Sequence, residues 1–447
     1  MGDFYVIIFW IVLSIILIIL GTARFKLHPA IVLFSVALLT AIGLGFPVIQ
    51  SVEVISFGFG NMLANIGILI LLGCVLAVIL EELQSIKYLS NLFIRVFGLK
   101  KPFLLLSSLG GLIGIPVFCD VAYIILSDFS KTLAGQAKVS RISTSVTIAS
   151  SLYIAHNLIP PTPGPLAVIG NFGVADQLGL VFLLGIVISL FLVLILSIYA
   201  RFISRKTLNE DIEMEDEKDE SSTSKLSSNI ILPLILPIIL IANGSILGII
   251  DSENSVLIAL ETIGNPIISL AIGVLIGLYL LKKKSTELKT DLIKKAILQA
   301  GPILVITGLG GSYGQVIKES AFSDLLIDSI NIQTQEPFMI LIIAYLMAFF
   351  IKTAQGSSTS AMIIVSAIIA PLIIGSTLDT VTGTSLLVLA IGSGAMMVSH
   401  SNDSYFWVVK EFSGMSVKQA LKSYSIGTIL LSVSSMLMVM LLFWILG

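Results

Sequence analysis

Residues His156 to Pro165 read HNLIPPTPGP and interrupt an apolar stretch, with the run Ser143 to Ala155 before them and Leu166 to Phe172 after. Such flanks place the segment at membrane depth, where a helix would have to continue. Pro160, Pro161 and Pro163, with Gly164, prevent it, because each proline lacks an N–H and clashes with the preceding turn. Carbonyls near Ile159 to Thr162 then lose their helical partners. In hydrocarbon an unpaired backbone group is costly enough that broken backbone must be buried in protein or line a wet cavity. His156, Asn157 and Thr162 sit in the break, which predicts a site for a polar solute inside a membrane.

The rest of the chain fits that environment. Hydrophobic residues make up 56% and charged residues 12%, about half the charged share of a soluble domain. The expectation is an all-α polytopic membrane protein with about 12–14 membrane segments. The first, Phe4–Leu20, has no basic stretch before it and no small-residue cleavage pattern after it, so it reads as a spanning helix and not a removed signal. Ile66–Leu80, Ile303–Ile317, Phe338–Ile351 and Ser385–Ser399 are each about 15 residues long, short for an untilted span, and are read as candidates for re-entrant hairpins or discontinuous helices. A net charge of -2 excludes the cationic excess of a nucleic-acid binder. Cys74 and Cys119 lie in apolar surroundings without ligand-like spacing, so both are expected buried and reduced.

Residues 201–228, RFISRKTLNEDIEMEDEKDESSTSKLSS, form the one long polar stretch. It is read as a disordered cytoplasmic linker between an N-terminal membrane half, 1–200, and a C-terminal half, 229–447. Lys282 to Lys284, Lys289, Lys294 and Lys295 mark a further cytoplasmic face, with Asp251, Glu253 and Glu261 on the other side. Arg24 and Lys26 after the first helix, and Lys410, Lys418 and Lys422 before the last, put both termini outside a plasma or inner membrane.

The halves echo each other. ILLGCVLAVILEELQS (Ile70 to Ser85) corresponds to VITGLGGSYGQVIKES (Val305 to Ser320), and GIPVFCD (Gly114 to Asp120) to TAQGSSTS (Thr353 to Ser360). His156 follows Gly114 by 42 residues, and His400 follows Gly356 by 44. Paired interruptions in two halves are the signature of a secondary transporter built from structural repeats, with its site where the broken helices meet. The repeat is read as inverted, because alternating access needs related halves and placing both termini outside allows it.

Four constellations carry the chemistry. SHSNDSYFW (Ser399 to Trp407) places His400, Asn402 and Asp403 directly after an apolar run, where ionisable groups are rare without a partner or a task; the competing reading is a polar loop with Asp403 capping the next helix. KTAQGSSTS (Lys352 to Ser360) supplies Gln355, Ser357, Ser358 and Thr359 at a helix start, whose free N–H groups suit a carboxylate; the alternative is a serine-rich packing face. Lys352 is either a partner for an anion or a side chain reaching to the interface. GLGGSYGQ (Gly308 to Gln315) lacks the lysine of a phosphate loop, which leaves a hairpin tip with Gln315 as its one ligand candidate. Asp120 is an intramembrane carboxylate and, by default, a candidate proton carrier.

These stretches, together with GFGN (Gly58 to Asn61) and the full run SHSNDSYFWVVKEFSGMSVKQ (Ser399 to Gln419), resemble the gluconate permease (gluconate:proton symporter) family of bacterial secondary transporters. The motifs occur in family order over most of the chain outside the linker. The resemblance implies proton-driven uptake of a sugar acid such as gluconate, or of relatives such as glycerate, fructuronate or D-serine. The chain departs from the family at Asp120, where a glutamate is usual, at Thr162, where a second histidine is frequent, and at Glu81 to Gln84, where a glycine-rich tip is frequent.

The expected function is therefore proton-coupled symport of a small hydroxy-carboxylate by alternating access. Asn157, Thr162, Gln315, Gln355, Ser357, Ser358, Thr359 and Asn402 are the candidate substrate contacts, and Asp120, His156, His400 and Asp403 the candidates for proton coupling. The partners are an anionic small molecule and the lipid bilayer, with no cofactor or metal expected beyond the coupling ion, and a homo-oligomer left open. Sodium coupling through the freed carbonyls is the alternative. An intramembrane enzyme has no HExxH or metal-ligand cluster in its favour, and a channel no carbonyl filter motif.

Overall fold

The computed structural model describes residues 2–25, 27–208, 228–247, 255–282, 284–320, 337–373, 376–400 and 403–446. Most of the predicted linker, with Asp251 and Glu253, lies outside the described residues. All regular structure among the described residues is helical. The N-terminal half contains α1 Gly2–Ile19, α2 Pro29–Gly43, α3 Val48–Glu82, α4 Ser85–Phe97, α5 Pro102–Ile113, α6 Cys119–Ala137, α7 Arg141–Leu158, α8 Pro163–Phe172 and α9 Leu178–Thr207. The C-terminal half contains α10 Leu232–Leu247, α11 Ser255–Ile263, α12 Pro266–Leu280, α13 Thr286–Glu319, α14 Pro337–Gln355, α15 Ser358–Ile373, α16 Val381–Ala395, α17 Ser404–Ser413 and α18 Val417–Leu446. Helices α3, α13 and α18, and α9 with the turn before it, are each long and apolar enough to cross a membrane alone.

Local chemistry sets the helix starts. Pro29, Pro102, Pro163 and Pro266 stand in the first turns of α2, α5, α8 and α12, where the missing N–H costs nothing. Ser140, Asn265, Ser285, Thr380 and Asp403 cap α7, α12, α13, α16 and α17 by accepting a backbone N–H from the first turn.

Three of the four short apolar segments are not interrupted, Phe338–Ile351 among them, since it lies inside α14. Ile66–Leu80 lies inside α3, 35 residues long, and Ile303–Ile317 inside α13, 34 residues long. The glycines that suggested a hairpin tip serve helix packing instead. A methyl on Gly58 would lie 2.7 Å from the carbonyl oxygen of Gly311, and Ser312 Oγ donates to Ile55 O at 2.8 Å, so the two helices approach along a strip of small residues. Their far ends are tied by Lys284 to Glu82 at 3.2 Å and Lys295 to Glu81 at 2.8 Å. The residues Glu81 to Gln84 are thus the half-exposed end of a long helix and its turn.

Among the described residues, interruptions occur at four other places: 114–118 between α5 and α6, 159–162 between α7 and α8, 356–357 between α14 and α15, and 396–400 after α16. Packing around them repeats between halves. Helix α5 lies on α7 and α7 on α9, as α14 lies on α16 and α16 on α18; α8 packs on α15, as α17 packs on α6. Each broken helix of one half therefore rests against the other half.

Candidate functional site

The four interruptions share one hollow. A cavity of about 220 Å³ is lined by Asp120 from the start of α6, Tyr153 and His156 from α7, Ser357 to Ser360 at the start of α15, and Asp403 and Tyr405 at the start of α17. Pro163 at the start of α8 completes it, and Pro302, Ile303 and Ile306 of α13 form an apolar wall. Four helix N-termini thus meet at one place. Neither Phe118 before α6 nor Thr162 before α8 gives a side-chain cap, so first-turn amides of α6 keep their hydrogen-bonding capacity. Partial positive charge from several N-termini makes the cavity suited to an anion.

Side chains from both halves meet across it. His156 Nε2 shares a hydrogen bond of 3.3 Å with Thr359 Oγ1. The ring of Tyr153 stacks on that of Tyr405 at 5.6 Å, with an interplanar angle of 29°. Tyr405 donates its hydroxyl to Ala149 O at 3.0 Å, and Tyr153 donates to Ala395 O at 3.2 Å, so each half anchors a tyrosine on the other's backbone. Close approach is what allows it. A side chain on Gly392 of α16 would overlap the carbonyl oxygen of Asn157, and one on Gly185 of α9 that of Leu158.

Polar capacity in and beside the cavity is left over. Asp120 Oδ1, His156 Nδ1 and Asn157 Oδ1 are buried without a hydrogen-bond partner among the described residues, a costly condition unless a ligand or water completes the set. Asp403 is different. Its Oδ1 accepts from Tyr405 N at 2.9 Å, capping α17, and its Oδ2 accepts from Ser399 Oγ at 2.6 Å and from Lys352 Nζ at 3.1 Å. Asp403 is thus a helix cap that also lines the cavity, 4% exposed. Lys352 is wholly buried and does not reach an interface.

The remaining candidates fall elsewhere. Thr162 Oγ1 donates to Ile159 O at 2.6 Å and lines a cavity of about 20 Å³ beside Phe118 and Pro163. Asn157 Nδ2 donates to Tyr153 O at 2.8 Å. His400 Nε2 donates to Thr353 O at 3.0 Å and is absent from the lining. Gln315 lies in a separate cavity of about 150 Å³ beside Asn61, Asn171 and Lys318, with Nε2 donating to Glu319 Oε1 at 2.9 Å. Asn402 and the side chain of Gln355 lie outside the described residues. Tyr153 and Tyr405 are lining residues that sequence reasoning passed over, although both stand within the stretches it singled out.

A family model described as GntP family permease matches residues 6–445. The chain is 29% identical to the gluconate permease of Pseudomonas aeruginosa, covering 98% of each chain. It is 28% identical to the D-serine transporter DsdX of Escherichia coli, over 95% of this chain and 96% of that one. Among solved structures, the YdaH transporter of Alcanivorax borkumensis superposes with a TM-score of 0.69 at 11% identity, covering 94% of this chain and 98% of that one, a likeness of fold. With nearly the whole length matched by the family model, and its relatives permeases and not enzymes, the chain belongs to the GntP family permeases.

Proposed function

We propose that this permease is a secondary transporter that brings a small hydroxy-carboxylate such as gluconate across the cell membrane by proton-coupled symport. The observation that carries the reading is the single cavity lined from all four interruptions. It offers helix N-termini for a carboxylate, the hydroxyls of Ser357, Ser358 and Thr359 for a polyol chain, and stacked tyrosines for the carbon skeleton. The relatives named for gluconate and for D-serine carry solutes that share a carboxylate and a hydroxyl-bearing carbon, the chemistry this lining matches.

Among the four candidates for coupling, Asp120 fits the task best. Asp403 already shares its charge with Lys352, and His400 is engaged away from the cavity. An anion entering beside an unpaired carboxylate would place two like charges in a low-dielectric space. A proton on Asp120 removes one of them, so solute and proton bind together. Repetition of the break pattern in both halves supports an inverted relation between them, with α8 and α17 exchanging exposure as the cavity alternates sides. The test is a panel of radiolabelled sugar acids, D-serine and dicarboxylates in proteoliposomes under imposed proton or sodium gradients. Proton-driven accumulation of a hydroxy-carboxylate is the expected result; accumulation that follows sodium, or solute turnover without vesicles, contradicts it.

A further inference from the structure

Sodium coupling would use backbone carbonyls released at an interruption, yet in the break after α16 such a carbonyl is already engaged by a side chain. Lys352 leaves the last turn of α14 and places Nζ 2.9 Å from Val398 O and 3.1 Å from Asp403 Oδ2, with the Tyr153 ring centroid at 5.9 Å. Val398 has φ +38°, a left-handed conformation that a β-branched residue adopts only where the surroundings hold it; here its carbonyl is held on the ammonium. Ser399 Oγ bonds the same carboxylate oxygen at 2.6 Å. The interruption is pinned from α18 as well, with Ser399 N donating to Thr428 Oγ1 at 3.1 Å and Ser425 Oγ donating to Ser399 O. One carbonyl and one carboxylate oxygen therefore converge on a position filled by a positive charge, with the Ser399 hydroxyl donating to that same carboxylate oxygen, and oxygen donors of this kind are what a hard cation selects.

The matching place in the other half is built differently. Lys352 stands four residues before Gly356, and four residues before Gly114 stands Gly110. A side chain there would overlap Ser151 Oγ, so no tethered charge fits. One half carries a fixed cation; the other carries Asp120 with an unpartnered oxygen.

We propose that the Lys352 ammonium is a tethered cation occupying a latent alkali-metal site formed by Val398 O and the Asp403 carboxylate, which Ser399 Oγ holds in place, so that this half of the transporter takes up no free ion. The proposal concerns the unliganded protein and stands apart from which solute is carried. It is tested on the purified full-length chain without substrate, by thermal unfolding in choline chloride and with sodium or lithium chloride at equal ionic strength. Wild type is expected to show the same Tm in all three. Lys352→Ala opens the site and is expected to show a saturable upward shift in Tm with sodium or lithium; Lys352→Ala combined with Asp403→Asn loses that shift. A saturable sodium shift in wild type, or a folded Lys352→Ala that responds to neither ion, overturns the proposal. Because sodium should replace the missing charge, failure to recover Lys352→Ala in sodium also counts against it. A loss of proton-driven transport in a wild type whose Tm ignores sodium would instead contradict the symport reading alone.

Discussion

His156 Nε2 and Thr359 Oγ1 stand 3.3 Å apart although 203 residues separate them in sequence. The contact joins the end of the broken α7 to the first turn of α15 inside one cavity, so a solute held there touches both halves at once. Thr359→Val keeps the shape and removes the hydroxyl. It is expected to raise KM roughly tenfold, as loss of a hydrogen bond in a buried polar site costs about 1–2 kcal/mol, with little change in Tm. Initial-rate uptake against solute concentration checks it.

Gln315 has its own partner in Glu319 and its own cavity. Gln315→Ala is expected to change KM less than about twofold, within the usual effect of a substitution outside a binding site. The same uptake assay decides it, and a change as large as that for Thr359→Val would place the solute path through the second cavity.

Carbonyl oxygens at the end of α7 are closely approached by two neighbouring helices, and Gly185 and Gly392 cover them. Gly185→Ala and Gly392→Ala are each expected to destabilise by about 1–3 kcal/mol through overpacking against backbone that cannot move aside. Gly60→Ala is the control, since no atom lies within 4 Å of its added methyl; alanine's better helix propensity, by up to about 1 kcal/mol, should leave Tm unchanged or raised. Thermal unfolding in detergent compares the three.

Asp403→Ala leaves Lys352 buried without its counter-charge. Breaking one side of a buried pair costs roughly 3–5 kcal/mol, whereas replacing both partners by neutral groups costs much less. Asp403→Ala is therefore expected to lower Tm sharply, and Lys352→Met combined with Asp403→Asn to recover most of the loss. Equal Tm for the single and double variants would show that the pair carries no such coupling.

The interruptions were legible because each carries its own helix-stopping chemistry: Pro160 and Pro161 after α7, Gly114 and Pro116 after α5, Gly356 after α14, and the polar run from Ser399 after α16. Glycine misled where it serves packing. Gly308, Gly310 and Gly311 stay helical because α3 presses against them with Phe59 and Met62, as Ile363 does from α15, and local sequence does not reveal a neighbouring helix. Lys352 could be read two ways because its partner lies 51 residues away. Tyr153 and Tyr405 were hidden in an apolar background, since an aromatic residue there has no pattern of its own and only the fold brings the two rings together.

Asp120 lies at the centre of the account, a half-buried carboxylate whose buried Oδ1 has no partner among the described residues, at a cavity that both halves build. Its substitution separates coupling from binding. In proteoliposomes with an inward proton gradient, wild type should accumulate the hydroxy-carboxylate above equilibrium, while Asp120→Asn should lose accumulation and keep counterflow exchange of the same solute. Accumulation by Asp120→Asn equal to that of wild type would contradict the account.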